Sequence, residues 1–178
     1  MSPSGAACLY AQEKPDELPQ IRELRMVCSY AFAIAEQNAD NGTIVTAPTC
    51  GSAGVLPSVL LYMQKRHNIP DRKVLEALAV AGLFGSLVKR NASISGAECG
   101  CQAEIGTACS MAAAALCHLM GKTINETEYA AEIAMEHHKV SEVIRRNLVL
   151  YLSMYHKLAL SNHHKIAAVI GRINHCLS

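Results

Sequence analysis

Tryptophan is absent from this 178-residue chain, and six tyrosines and two phenylalanines make up its aromatic complement. So few flat rings exclude a base-stacking platform for nucleic acid. An excess of charge is missing as well: 16 Lys and Arg against 15 Asp and Glu leave a formal +1 at pH 7. The basic residues are scattered, which gives no electrostatic case for nucleic acid or for an anionic membrane. No apolar run reaches the roughly 18 uninterrupted residues of a membrane span. The first residues lack a basic region followed by an apolar core and a small-residue cleavage site, so no signal peptide is expected. Cysteine, by contrast, is plentiful at eight residues. In a chain without an export signal these read as reduced thiols or metal ligands rather than disulfides, and a cytoplasmic location is expected.

The length fits one domain with a substantial core. A Pro-containing start, residues 1–15, is expected to be flexible, and residues 16–178 to form one all-α domain, a compact multi-helix bundle with buried central helices. From Asp16 to Gln37, the residues Ile21, Leu24, Val27, Cys28, Ala31 and Ile34 or Ala35 recur on one face, and Asp40-Asn41-Gly42 stops the run. The run from Val55 to Arg66 ends at His67-Asn68, and Asp71 to Val88 begins after Pro70. The interior of this second run, Ala77 to Val88, is apolar on all sides, as in a helix at the centre of a bundle. Thr107 to Met120 is rich in small residues that let neighbours approach closely, with Gly121 as its C-terminal cap. Asn125 is expected to cap a helix from Glu126 to His138. Val140 to Leu160 and Lys165 to Cys176 read as two further helices.

Between the apolar runs lie two loops dense in polar and thiol groups. Thr46-Ala-Pro-Thr-Cys-Gly-Ser-Ala-Gly54 follows the β-branched piece Thr43-Ile-Val-Thr46 and precedes a helix with Pro57 in its first turn. Hydroxyls and free N–H groups at that helix start are a natural seat for a carboxylate or phosphate, although such starts are often only caps. The second loop, Asn91-Ala-Ser-Ile-Ser-Gly-Ala-Glu-Cys-Gly-Cys-Gln-Ala-Glu-Ile-Gly106, places Cys101 just ahead of the next helix. There the helix dipole favours a thiolate that binds metal or attacks electrophiles.

Five segments together resemble the α-chain region of iron–sulfur-dependent L-serine dehydratases, over roughly Met26 to His138. They are Asn38-Ala-Asp-Asn-Gly-Thr-Ile-Val-Thr-Ala-Pro-Thr-Cys-Gly-Ser-Ala-Gly-Val-Leu-Pro57, Asn91-Ala-Ser-Ile-Ser-Gly-Ala-Glu98, Gly100-Cys-Gln-Ala-Glu-Ile-Gly106, Cys109-Ser-Met-Ala-Ala-Ala114 and Tyr129-Ala-Ala-Glu-Ile-Ala-Met-Glu-His137. The resemblance implies a component of an L-serine ammonia-lyase that turns L-serine into pyruvate and ammonia. It also implies a 4Fe–4S cluster as cofactor, a β domain or chain as partner, and a homo-oligomer. Three thiolates, among them Cys101, would leave one iron open to act as Lewis acid on the substrate's oxygen. The family's other two ligand cysteines stand in a Cys-Asp-Pro and a Pro-Cys-Ile-Glu-Arg segment, and neither follows His137. The sequence continues instead as His138-Lys-Val-Ser-Glu-Val-Ile-Arg-Arg146, and no counterpart of the β domain with its Ser-His-Thr motif is found. The expectation is a dehydratase component incomplete on its own. The alternative is a non-catalytic helical domain that keeps the loops for packing or partner binding.

Under the resemblance, Glu98 is an acid–base or ammonium-binding group, with a buried hydrogen-bonding role for its loop as the other reading. His137 is the second catalytic candidate, because an imidazole titrates near neutrality; a surface histidine at a helix end is the alternative. Thr46, Thr49 and Ser52 are candidates for gripping the substrate carboxylate, and Asn91, Ser93 and Ser95 for its amino or carboxylate group, with capping roles the alternative. Cys99 and Cys50 are not matched to ligands, and Cys28, Cys109 and Cys117 read as core. Cys176 is of interest because relatives place a terminal cysteine on the open iron. His138, His156, His163 and His164 form no metal-binding spacing with cysteine and read as solvated.

Overall fold

Left-handed backbone at Asn41, Asn68, Gly100 and Gly121 marks the ends of four of the helices among the described residues. A computed structural model describes residues 5–12 and 15–136. Within these residues the helices are α1 (Gly5–Ala11), α2 (Pro19–Ala39), α3 (Val55–His67), α4 (Asp71–Asn91), α5 (Gly96–Cys99), α6 (Cys101–Leu119) and α7 (Ile124–Glu136), with no strand among them. The all-α expectation holds. Asn41 (φ 55°), Asn68 (φ 50°) and Gly121 (φ 68°) follow α2, α3 and α6, as their sequence positions predict. The β-branched piece Thr43–Thr46 lies in irregular backbone. The expected helices Val140 to Leu160 and Lys165 to Cys176 lie outside the described residues, as do His137, His138, His156, His163, His164 and Cys176.

Helix α6 forms the centre and packs against α3, α4, α5 and α7. Its small residues allow this: Ala108, Ala114 and Ala115 are fully buried. On α4, Gly85 makes room for Met111 of α6, whose Sδ would stand 2.7 Å from a β-carbon at that position. Burial of Leu56, Leu60, Phe84, Val88 and Met111 around this axis contributes roughly 1.5–3 kcal/mol per large side chain before entropy is counted. No helix of the described residues is long and apolar enough to cross a membrane.

Four expectations need correction. Helix α4 is not enclosed on all sides: Ala77, Ala81, Phe84 and Val88 face the core, while Leu75, Leu78 and Leu83 on the opposite side are exposed. The start of the chain is not simply frayed, because residues 5–11 are helical and pack against α2. That contact also changes which face of α2 is buried. Arg25 and Ser29 are covered, whereas Ile21 and Leu24, expected inside, are exposed. The Arg25 guanidinium donates to the carbonyls of Leu9 (3.0 Å) and Tyr10 (2.9 Å) at the end of α1 and makes two 2.8 Å bonds to Glu17. It thus satisfies α1 carbonyls that have no partner within their own helix. Finally, Asn125 does not cap α7. Thr123 and Glu126 do so reciprocally: Thr123 N donates to Glu126 Oε2 (2.9 Å) and Glu126 N to Thr123 Oγ1 (3.3 Å), a capping box.

Candidate functional site

Gly100, at φ 79°, ends α5 and lets α6 begin at Cys101, six residues earlier than the apolar pattern predicts. Cys101 is therefore exposed in the first turn of α6, and Glu104, three residues on, shares its side of the helix. Glu104 is where the two loops meet. Its Oε1 accepts a hydrogen bond from Thr49 Oγ1 of the first loop. A β-carbon on Gly51 would lie 2.6 Å from Glu104 Oε1, and one on Gly96 would lie 3.0 Å from Oε2 and 3.8 Å from Cys101 Sγ. Neither glycine has a left-handed φ. A side chain at either position would displace the Glu104 carboxylate, the flexible end of its side chain, rather than backbone.

The other described residues singled out from the sequence bond mainly within their own loops. Ser52 is buried, and its hydroxyl lies 3.2 Å from Thr49 Oγ1 and 3.4 Å from Thr49 N and Ala47 O, so it braces the loop from within. Thr46 is exposed at the loop's start and Cys50 at its crest. Asn91 is the last residue of α4, and its Nδ2 donates back to Leu87 O at 2.7 Å. Ser93 Oγ accepts from Ser95 N (3.1 Å) and donates to Glu98 Oε2, which ties Glu98 into its own loop. Glu98 itself is exposed on α5, and Cys99 is half-buried against the core. His137 lies outside the described residues. The sequence reading missed Glu104. Its signal was the Cys101–Glu104 spacing in Gly100-Cys-Gln-Ala-Glu-Ile-Gly106, which matters only once the helix is known to start at Cys101.

The electrostatics separate the thiols. Burial pushes the Cys109 thiol pKa up, and burial together with the nearby Glu126 carboxylate does the same for Cys117, which keeps both in the unreactive form. Glu104 has no ion pair with Lys, Arg or His among the described residues. Among those residues, too, no group of three or more His, Cys, Asp or Glu is placed to hold a metal ion. The described residues therefore do not fit a 4Fe–4S cluster, for which Cys101 offers one thiol. A separate cavity of about 550 Å³ lies against α1, α2 and α3, lined in part by Tyr10, Tyr30, Tyr62 and Lys65, and does not involve the two loops.

Residues 4–139 match the family model described as serine dehydratase alpha chain. L-serine dehydratase TdcG of Escherichia coli (strain K12) is 53% identical over 109 residues, which are 61% of this chain and 24% of that protein. L-serine dehydratase of Streptomyces coelicolor is 49% identical over 120 residues, 67% of this chain and 26% of that protein. The L-serine dehydratase of Mycobacterium tuberculosis is 47% identical over 129 residues, 70% of this chain and 28% of that protein. The chain thus spans about a quarter of the length of the relatives it matches.

Proposed function

The chain belongs to the serine dehydratase alpha chain family, and we propose from this that it is the α-chain part of an L-serine dehydratase, binding L-serine for conversion to pyruvate and ammonia. The observation that carries the reading is the meeting of the loops at Glu104, which brings Thr49 and Cys101 to one turn of α6. A shared substrate site requires that proximity.

In this proposal Thr46 takes the substrate carboxylate at the start of the first loop, while Thr49, its hydroxyl proton donated to Glu104, and Ser52 hold that loop in place. Asn91, Ser93 and Ser95 of the second loop are proposed to bind the substrate's amino or carboxylate group. Glu98, kept in position by Ser93, is the acid–base group for the Cα proton, with His137 as a second proton carrier. Breaking the Cα–H bond supplies the electron pair of the new Cα=Cβ bond as hydroxide leaves Cβ, and the resulting aminoacrylate hydrolyses to pyruvate and ammonia. Cys101 is proposed as one thiolate toward the family's 4Fe–4S cluster, with the remaining ligands coming from outside the described residues. The β domain or chain is the proposed partner.

The test is complementation. The chain is mixed with the regions of the Streptomyces coelicolor relative that lie outside the match, and pyruvate from L-serine is followed by a coupled reduction. Pyruvate formation that requires both components supports the proposal; a well-folded mixture that makes none overturns it.

A further inference from the structure

We propose that Glu104 is the specificity-determining residue of this site, its carboxylate taking the α-ammonium group of an amino-acid substrate. The identity of the ligand as an amino acid rests on the proposed function; the case for a cationic group rests on the geometry. A half-buried carboxylate without a cationic partner is costly unless something compensates it. Among the described residues no Lys, Arg or His is paired with Glu104. Thr49 supplies one hydrogen bond, whereas a carboxylate has roughly four lone-pair sites. Gly51 and Gly96 stand against the two carboxylate oxygens and bring no side chain there, and the Cys101 thiol flanks the same point beside Gly96. Glu98 is less suited, since it is exposed and engaged by Ser93 within its own loop.

Binding of three probes to the full 178-residue chain, measured by ligand-observed NMR, tests this. L-Serine carries both charges, ethanolamine the ammonium alone, and 3-hydroxypropanoate the carboxylate alone. Glu104→Gln keeps the shape and the acceptor for Thr49 while removing the charge, and circular dichroism verifies that the variant folds. Affinity for L-serine and ethanolamine is expected to fall at least about tenfold, with that for 3-hydroxypropanoate changed by less than about twofold. The proposal is overturned by unchanged amine affinity in Glu104→Gln, by an equal loss for 3-hydroxypropanoate, by a loss in Glu98→Gln instead, or by a wild-type chain that binds neither amine. Pyruvate formation by the complemented enzyme is scored separately. Amine binding that depends on Glu104 without pyruvate keeps this inference and rejects the dehydratase reading, whereas pyruvate formation with unchanged KM in Glu104→Gln does the reverse.

Discussion

Replacing Gly51 by alanine perturbs the loop junction at its tightest point. The new β-carbon would stand 2.6 Å from Glu104 Oε1 and 3.3 Å from its Cδ. The carboxylate ends a flexible side chain and gives way more readily than backbone would, so the main loss is its hydrogen bond from Thr49. A hydrogen bond to a charged group contributes roughly 1.5–3 kcal/mol, and alanine restricts the unfolded chain by roughly 0.4–1 kcal/mol in the opposite direction. The net cost is therefore roughly 1–2 kcal/mol, a shift of a few degrees in Tm for a domain of this size. Urea denaturation followed by circular dichroism measures it in two backgrounds. With Glu104→Ala already in place there is no carboxylate to displace, and Gly51→Ala becomes neutral or stabilises by up to about 1 kcal/mol. An equal cost in both backgrounds, or no cost in the wild type, would refute the account of the junction.

Gly54→Ala meets backbone rather than a side chain, its β-carbon lying 2.9 Å from Ala31 O of α2, so α2 and α3 must separate at a cost of roughly 1–3 kcal/mol in chemical denaturation. Arg25→Ala uncaps α1 and removes the guanidinium from Glu17; a lower urea midpoint and faster amide exchange in residues 5–12 are expected, and unchanged exchange there refutes the cap. The Lys73 hydrogen bond, with help from His118 and Arg72, holds the Glu76 carboxyl below its ordinary value of 4.5. Its stabilising effect is present above that value and fades as pH falls through the lower folded one. Glu76→Gln should thus flatten the acid limb of the stability curve while costing no more than about 1 kcal/mol at neutral pH. At pH 8, iodoacetamide is expected to label exposed Cys50 and Cys101 well before Cys109 and Cys117, whose thiols are held protonated; mass spectrometry of peptides reads the order.

The helices and their ends were largely legible in the sequence because their determinants are local. Asn41, Asn68 and Gly121 announce left-handed backbone, and Pro57 and Pro70 announce helix starts. Burial was less legible, since a 3.6-residue period shows which residues share a face but not which face finds a partner. Ile21 and Leu24 share a face as expected, yet α1 claims the side of α2 that carries Arg25. The loops stood out through their resemblance to a known family. Glu104 did not, because its role depends on Gly100 restarting the helix at Cys101 and on two distant glycines leaving it room. The capping box of α7 was present as Thr123 and Glu126, but the nearer Asn125 drew the assignment.

In the proposed function this chain supplies the α-chain loops and Cys101 as one thiol toward a 4Fe–4S cluster. Anaerobic reconstitution with iron and sulfide, followed by iron and sulfide analysis and pyruvate assay, tests it most directly. The account predicts substoichiometric cluster and no robust pyruvate from the chain alone, recovery of both when the missing regions of a relative are added, and loss of both again in Cys101→Ser. Stoichiometric cluster with strong, Cys101-dependent pyruvate formation by the isolated chain would contradict it.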